Sequence, residues 1–259
     1  MSTSTASPLP AGLEASRLLA RGVSLPLRLS DFKLIAFDMD STLISIECVD
    51  EIADAAGRKA EVAAITEAAM RGEIADYKAS LRQRVALLRG VPLSALRQVA
   101  EERLRIHDGA LALVRACQAA GLKTLLVSGG FTYFSDRVRD ALGLDATRSN
   151  VLELSTDPAQ TGRADAEPAL TGRLIDQPWG DIVDGEEKRR TVLETVAALG
   201  GTGTQVIAVG DGANDLPMMS VAGLSVAYRA KPAVRAQADV ALDVERLDTL
   251  LALFGADAR

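Results

Sequence analysis

The chain is poor in the residues that would tie it to a disulfide scaffold, a nucleic acid or a membrane. Of 259 residues, two are cysteine and one is histidine. Cys48 and Cys117 stand far apart and in no metal-ligand spacing, so the expectation is two buried thiols in a reducing compartment, with no disulfide staple and no zinc site. Aromatic residues make up 3%, which leaves few stacking platforms for single-stranded nucleic acid. No apolar run approaches the roughly 18 residues that span a bilayer; runs such as Leu34 to Phe37 and Val206 to Val209 have the length of strands. Lys and Arg number 29 against 35 Asp and Glu, a net charge of −6, so the basic surface that nucleic acids and anionic membranes attract is missing. The expectation is a cytoplasmic protein, monomer or homodimer, with neither nucleic acid nor membrane as partner.

What the chain has in quantity is aliphatic. With 48% hydrophobic and 25% charged residues it has an ordinary globular composition, and its length suits one large domain or a domain carrying an insertion. Residues 1–30, rich in Ser, Thr, Ala, Pro and Arg with Glu14 as the one acid, lack the apolar core of a signal peptide. They read as a loose N-terminal tail, too short for a regulatory ligand-binding domain.

Three apolar runs end in polar clusters. Lys33 to Phe37 opens into Asp38-Met39-Asp40-Ser41-Thr42, Lys123 to Val127 into Ser128-Gly129-Gly130, and Gln205 to Val209 into Gly210-Asp211-Gly212-Ala213-Asn214-Asp215. Each reads as a strand buried on both faces, with helical periodicity beside it. Strands alternating with helices imply a Rossmann-like α/β fold, three layers around a parallel sheet, and such sheets bind ligands at the carboxyl ends of their strands. The three clusters converge there.

Between the first two strands lie helical patterns at Cys48 to Ala56, Arg58 to Arg71, Ile74 to Leu88 and Leu93 to Arg103, more than one crossover needs. The expected organisation is a core of residues 31–46 and 106–259 with a helical cap, residues 47–105, inserted as a lid over the crevice. Val151 to Leu154 and Leu170 to Ile175 read as a hairpin with a long loop, and a helix is expected from Lys188 to Leu199.

Four carboxylates at one sheet edge, Asp38, Asp40, Asp211 and Asp215, repel unless a cation or raised pKa values relieve them. Oxygen ligands without His or Cys favour Mg²⁺. Hydroxyls of Ser41, Thr42 and Ser128, glycines that admit close backbone approach, and helix starts after each turn suit a phosphate. Lys188 could complete it, since a cation heading a helix opposes the helix dipole and so serves something else, with Arg189 and Arg190 as alternatives that the spacing leaves open.

In order and placement, these clusters resemble the four motifs of the haloacid dehalogenase superfamily of phosphotransfer enzymes. Adding Glu47, Met70-Arg71-Gly72-Glu73 leading into Ser80 to Val85, and Phe131, the chain over residues 31 to 250 resembles the phosphoserine phosphatase family within it. The resemblance implies Asp38 as nucleophile forming an aspartyl-phosphate and Asp40 as general acid, then base. It implies one Mg²⁺ per site on the carboxylates of Asp38 and Asp211 and the backbone carbonyl of Asp40, with Asp215 orienting the shell. Ser128, Gly129 and Lys188 would bind the phosphoryl oxygens, helped by Asn214. Glu47 would meet the ammonium of O-phospho-L-serine and Arg84 its carboxylate, while Met70 and Phe131 exclude water. The implied activity is release of phosphate from O-phospho-L-serine, the last step of serine biosynthesis. The alternative is action on another small phosphomonoester, including transfer to another hydroxyl. A phospho-accepting signalling domain shares the strand-end Asp, hydroxyl and Lys but lacks Asp40 and the cap, and the nucleotide-binding glycine motifs are absent. His107 is read as structural. Two departures stand out: residues 72–80 are one longer than the family pattern, and the Ser155 to Ala169 loop is longer than usual.

Overall fold

The computed structural model describes residues 18–71, 73–74, 76–163 and 167–255, the Met70 side chain excepted. Eight strands form one sheet: β1 (Leu18–Ala20), β2 (Leu34–Phe37), β3 (Lys123–Phe131), β4 (Ala146–Ser155), β5 (Ala169–Ile175), β6 (Val206–Gly210), β7 (Leu224–Tyr228) and β8 (Val240–Leu242). Their order is β1-β8-β7-β6-β2-β3-β4-β5. The six inner strands run parallel, and both edge strands, β1 and β5, pair antiparallel. β2 lies between β3 and β6 with Phe37 level with both Leu126 and Val209. The winding reverses there, so a crevice opens beyond the carboxyl end of β2.

Strand residues alternate between two cores, as the period of two requires. Ile35, Phe37, Leu126, Ile207 and Val209 face one cluster, with Leu113, Val114, Phe134 and Val138 from α5 (Ala110–Ala119) and α6 (Thr132–Leu142). Leu34, Ala36, Leu125, Val127, Val206 and Ala208 face the other, with Val192 and Val196 of α8 (Gly185–Ala198), Met218 and Met219 of α9 (Leu216–Met219) and Val234 of α10 (Pro232–Gln237). The sheet is thus covered by helices on both faces, the three-layer α/β arrangement expected from the apolar strand runs.

Between β2 and α5 lie α1 (Cys48–Ala55), α2 (Lys59–Met70), α3 (Tyr77–Leu87), α4 (Leu93–Gln98) and a π-helical turn, Val99–Arg103. An antiparallel bridge, Ile44 to Ile106, joins the two ends of this excursion. α3 starts at Tyr77, three residues after the predicted Ile74, because Asp76 caps it by accepting the Ala79 N–H at 2.7 Å. The helix predicted from Lys188 begins at Gly185 for the same reason: the Asp184 carboxylate accepts the Glu187 N–H at 2.8 Å.

Three segments depart from expectation. Residues 18–30 do not belong to a loose tail: β1 pairs with β8, and Leu18 and Leu29 are buried. Nothing in their composition signals this, since an edge strand is made by its partner; residues 1–17 lie outside the described residues. β3 continues through the predicted turn to Phe131, its Gly129-Gly130 sitting where the register with β4 shifts between Ser128 and Phe131. The hairpin's first strand starts at Ala146, five residues early, because residues 146–150, polar after Ala146, are ordered by β3. The connecting loop begins with a short helix, α7 (Pro158–Thr161), capped by Asp157.

Candidate active site

The ends of β2, β3 and β6 and the start of α8 converge on one buried charge cluster. Lys188, with no exposed surface, donates from Nζ to Asp38 Oδ1 and Asp215 Oδ1, both at 2.6 Å. Asp215 Oδ2 accepts the backbone N–H groups of Asp211 (3.0 Å) and Gly212 (2.9 Å). The Thr42 hydroxyl donates to Asp211 Oδ1 at 3.0 Å. Gly210 must be glycine, since a Cβ there would lie 2.5 Å from the Asp215 carboxylate. Asp38 and Lys188 are 150 residues apart in the chain, joined because α8 packs on the sheet face that Leu34 and Ala36 of β2 present.

The predicted alternatives to Lys188 turn elsewhere. Arg189 pairs with Glu186, and Arg190 with Glu187 and the Trp179 carbonyl. Ser41 and Thr42, read as phosphate-binding hydroxyls, are engaged with carboxylates: Ser41 Oγ donates to Glu47 Oε1 at 2.7 Å, and Thr42 holds Asp211. Ser41 adopts φ 58°, a left-handed conformation costly for a residue with a Cβ, and the turn it makes carries Asp40 toward α1. There the Cys48 N–H and thiol donate to Asp40 Oδ2 and Oδ1, each at 3.1 Å.

Burial of so many acids shows in their titration. Burial, then Asp215, raises the Asp38 carboxyl well above the usual range, against the pull of Lys188. Asp40 is pushed to about 7 by burial and by Glu47, with the Cys48 bonds opposing. Asp211 reaches about 6 through burial and Asp215. For Lys188 burial alone favours loss of the proton, but Asp215 and Asp38 outweigh it and keep the ammonium charged. Asp38, Asp211 and Asp215 each offer an oxygen within 4.8 Å of the others, so three carboxylates face one ammonium, an imbalance that a hard divalent cation with oxygen preference fits.

Above this cluster is a cavity of about 770 Å³. It is lined by Asp38, Asp40, Ser128, Gly129, Phe131, Asp211 and Asn214 from the sheet edge and by Glu47, Asp50, Tyr77 and Arg84 from α1 and α3 and their approaches. Of the predicted substrate residues described, all but Lys188 line it; Lys188 lies beneath, bonded to Asp38, and the Met70 side chain is outside the described residues. Ser128 Oγ accepts the Gly130 N–H at 3.0 Å and keeps its own proton for a ligand. His107 packs edge-on against Tyr228, its ring centre 5.4 Å away, in keeping with a structural role.

Four residues here escaped sequence reasoning. Cys48 holds Asp40. Buried Asn150 on β4 donates to the Gly129 carbonyl and accepts the Val183 N–H, both at 2.8 Å, tying the β3 end to the segment leading into α8. Tyr77 places its hydroxyl against Gly129, where a Cβ would come within 1.9 Å of it, and Asp50 lines the cavity one turn after Glu47. The only sequence signal among them is Asp50, three residues after Glu47 and so one helical turn along.

Comparison with known proteins agrees with this geometry. A sequence profile of the haloacid dehalogenase-like hydrolases matches residues 32–223. A phosphoserine phosphatase of Polaromonas sp. is 66% identical over 241 residues, 93% of this chain and 98% of the relative. The fold is similar to that of a probable phosphoserine phosphatase from Vibrio cholerae in unliganded form, at a TM-score of 0.74 and 39% identity over 90% of this chain and 67% of that one. It is also similar to a phospho-aspartyl intermediate analogue of a phosphoserine phosphatase, at a TM-score of 0.74 and 32% identity over 86% of this chain and 99% of that one. Likeness over 98% of the Polaromonas relative at 66% identity, together with the converging clusters at β2, β3 and β6, establishes that this chain belongs to the phosphoserine phosphatase family of the haloacid dehalogenase-like hydrolases.

Proposed function

We propose that the chain hydrolyses O-phospho-L-serine to L-serine and inorganic phosphate through an aspartyl-phosphate on Asp38. The observation that carries this is the Asp38 carboxylate held at 2.6 Å by a buried ammonium, with a second carboxyl, Asp40, at about 7 in the same cavity. A group poised near neutrality serves as acid in one step and base in the next.

Asp38 attacks phosphorus, the bond from phosphorus to the serine oxygen breaks, and Asp40 protonates that oxygen as serine leaves. Asp40, now a carboxylate, takes a proton from water as the water oxygen attacks phosphorus; the bond to Asp38 breaks and phosphate departs. Lys188, Ser128, Gly129 and Asn214 meet the phosphoryl oxygens as charge develops on them. One Mg²⁺ would be held by the Asp38 and Asp211 carboxylates and the Asp40 carbonyl, supplying charge neutralisation for the transfer when bound. Asp215 positions this set, since Lys188 and two backbone N–H groups occupy its oxygens. Glu47 takes the substrate ammonium, Arg84 its carboxylate, and Met70 and Phe131 exclude water.

In this reading residues 47–105 act as a helical cap on a core of 31–46 and 106–259. Among the described residues no helix is long and apolar enough to cross a membrane, and the proposal places the enzyme in the cytoplasm, as monomer or homodimer, at the serine-releasing end of serine biosynthesis.

The test is phosphate release from O-phospho-L-serine with Mg²⁺, beside phosphothreonine and phosphoethanolamine. Phosphoserine is the preferred substrate, and Asp38→Asn lowers turnover by roughly 10⁴-fold or more. Undiminished turnover in Asp38→Asn removes the nucleophile assignment, and phosphate recovered on an added alcohol instead of in solution makes the enzyme a phosphotransferase.

A further inference from the structure

One hydroxyl in the cavity over Asp38 has no partner in the protein. Tyr77 is the first residue of α3, half-buried, and lines that cavity. Among the described residues its hydroxyl makes no hydrogen bond. Nor is its oxygen one of the unpartnered polar atoms sealed away from any ligand, which are Asp50 Oδ1, Arg84 Nε and Thr147 Oγ1. It is open to the cavity, and a tyrosine hydroxyl at a buried site ordinarily has a partner.

Its position names that partner. The hydroxyl lies where a side chain of Gly129 would begin, 1.9 Å from that Cβ position. It thus stands against the strand end that carries Ser128, whose own hydroxyl keeps its proton for a ligand. The charges that act on it are those of Lys188, Arg84, Asp38 and Asp40, so it lies in the field of the catalytic cluster and not at the rim of the cavity. Burial pushes the phenol up to about 12, so it keeps its proton and donates. Ser128 and Asn214 offer donors from the sheet side, and Tyr77 offers one from the helical side. A tetrahedral oxyanion carries oxygens in every direction and accepts from both sides at once.

We propose that the Tyr77 hydroxyl donates to a phosphoryl oxygen of the substrate, closing the phosphoryl site from the helical side. The proposal rests on the activity proposed above and deepens it: Tyr77 joins Ser128, Gly129, Lys188 and Asn214 on the phosphoryl group, and of these five it alone belongs to residues 47–105. The rival role is structural. The Val183 carbonyl lies 3.3 Å from the same Cβ position, and a hydroxyl that only latched α3 to that carbonyl would serve stability and not the anion.

The experiment is Tyr77→Phe, which removes one oxygen and keeps the ring. In the Mg²⁺-loaded enzyme, inhibition by the two products separates the two ends of the site. The inhibition constant of inorganic phosphate rises on the order of 10- to 100-fold, the worth of a hydrogen bond to a charged acceptor. That of L-serine stays as in wild type, and kcat/KM for O-phospho-L-serine falls by a factor similar to the phosphate effect. An unchanged phosphate constant overturns the proposal, as does an equal rise for serine. A lower melting temperature with both constants unchanged assigns the hydroxyl to the Val183 latch and overturns it too. Phosphate binding is also read without turnover, as the rise in melting temperature that phosphate gives the Mg²⁺-loaded protein: a smaller rise in Tyr77→Phe than in wild type supports the role, and an equal rise overturns it. Absence of wild-type turnover of phosphoserine therefore removes the proposed activity, whereas wild-type turnover with an unchanged phosphate constant in Tyr77→Phe removes this role alone.

Discussion

The two walls of the cavity differ in how complete their bonding is. On the sheet side, Lys188, Asp215, Asp211 and Asp40 are held by partners from four separate segments, and Asn150 ties down the backbone around Gly129. On the helical side, Glu47 is exposed and Asp50 and Arg84 keep unpaired buried atoms. In the proposed reading the groups that act on phosphorus are the preorganised ones, so little rearrangement opposes charge development. The helical wall, which in that reading faces the rest of the substrate, is less completely bonded.

The sharpest way to break this contrast is to remove the sheet side's central cation. Lys188→Met leaves Asp38 and Asp215 buried without their ammonium, and the expected loss is about 3–5 kcal/mol of stability with turnover falling on the order of 10²- to 10³-fold. Denaturant unfolding and phosphate release measure the two; near-wild-type stability means the cluster is less interdependent than its geometry implies.

A smaller effect concerns pH. Asp40 and Asp211, at about 7 and about 6, and Asp38, raised in the same direction, bind protons more tightly folded than unfolded. Their contribution to stability is present below the ordinary carboxylate range and is lost as pH rises through 6 to 7. The metal-free protein therefore melts at lower temperature at pH 8 than at pH 5, and Mg²⁺ stabilises it more at pH 8. At a hundredfold excess over its dissociation constant the gain is about 2.7 kcal/mol. Thermal unfolding with and without Mg²⁺ checks this, and an equal gain at both pH values contradicts it.

The smallest effect probes where the walls touch. The Cβ of Gly129→Ala would meet the Tyr77 hydroxyl at 1.9 Å, costing about 1–3 kcal/mol. Since β3 is clamped by Asn150, the helical side gives way, and combining the change with Tyr77→Phe recovers part of the loss in a double-mutant cycle. Additive losses mean that β3 moves instead.

Much of the sheet side was legible in the chain. A strand buried on both faces must be an apolar run, and a loop at its end must be polar, so β2, β3 and β6 and their terminal clusters announce themselves locally. Asp38, Asp40, Ser128 and Asp211 could be named from that pattern and its family resemblance. The same reasoning missed residues 18–20 and 146–150, whose strand character comes from a neighbouring strand and not from their own side chains.

Sequence by itself thus determined the alternation of strands and helices, the edge at which the acids collect and the family of the chain, because these follow from short-range periodicity and spacing. Tertiary structure decided which of Lys188, Arg189 and Arg190 enters the cluster, that Ser41 and Thr42 serve carboxylates, that Cys48 holds Asp40, and that Asp50 and Arg84 each keep a buried polar atom without a partner. Those outcomes depend on side-chain direction and on hydrogen bonds between segments far apart in the chain, which only packing brings within reach.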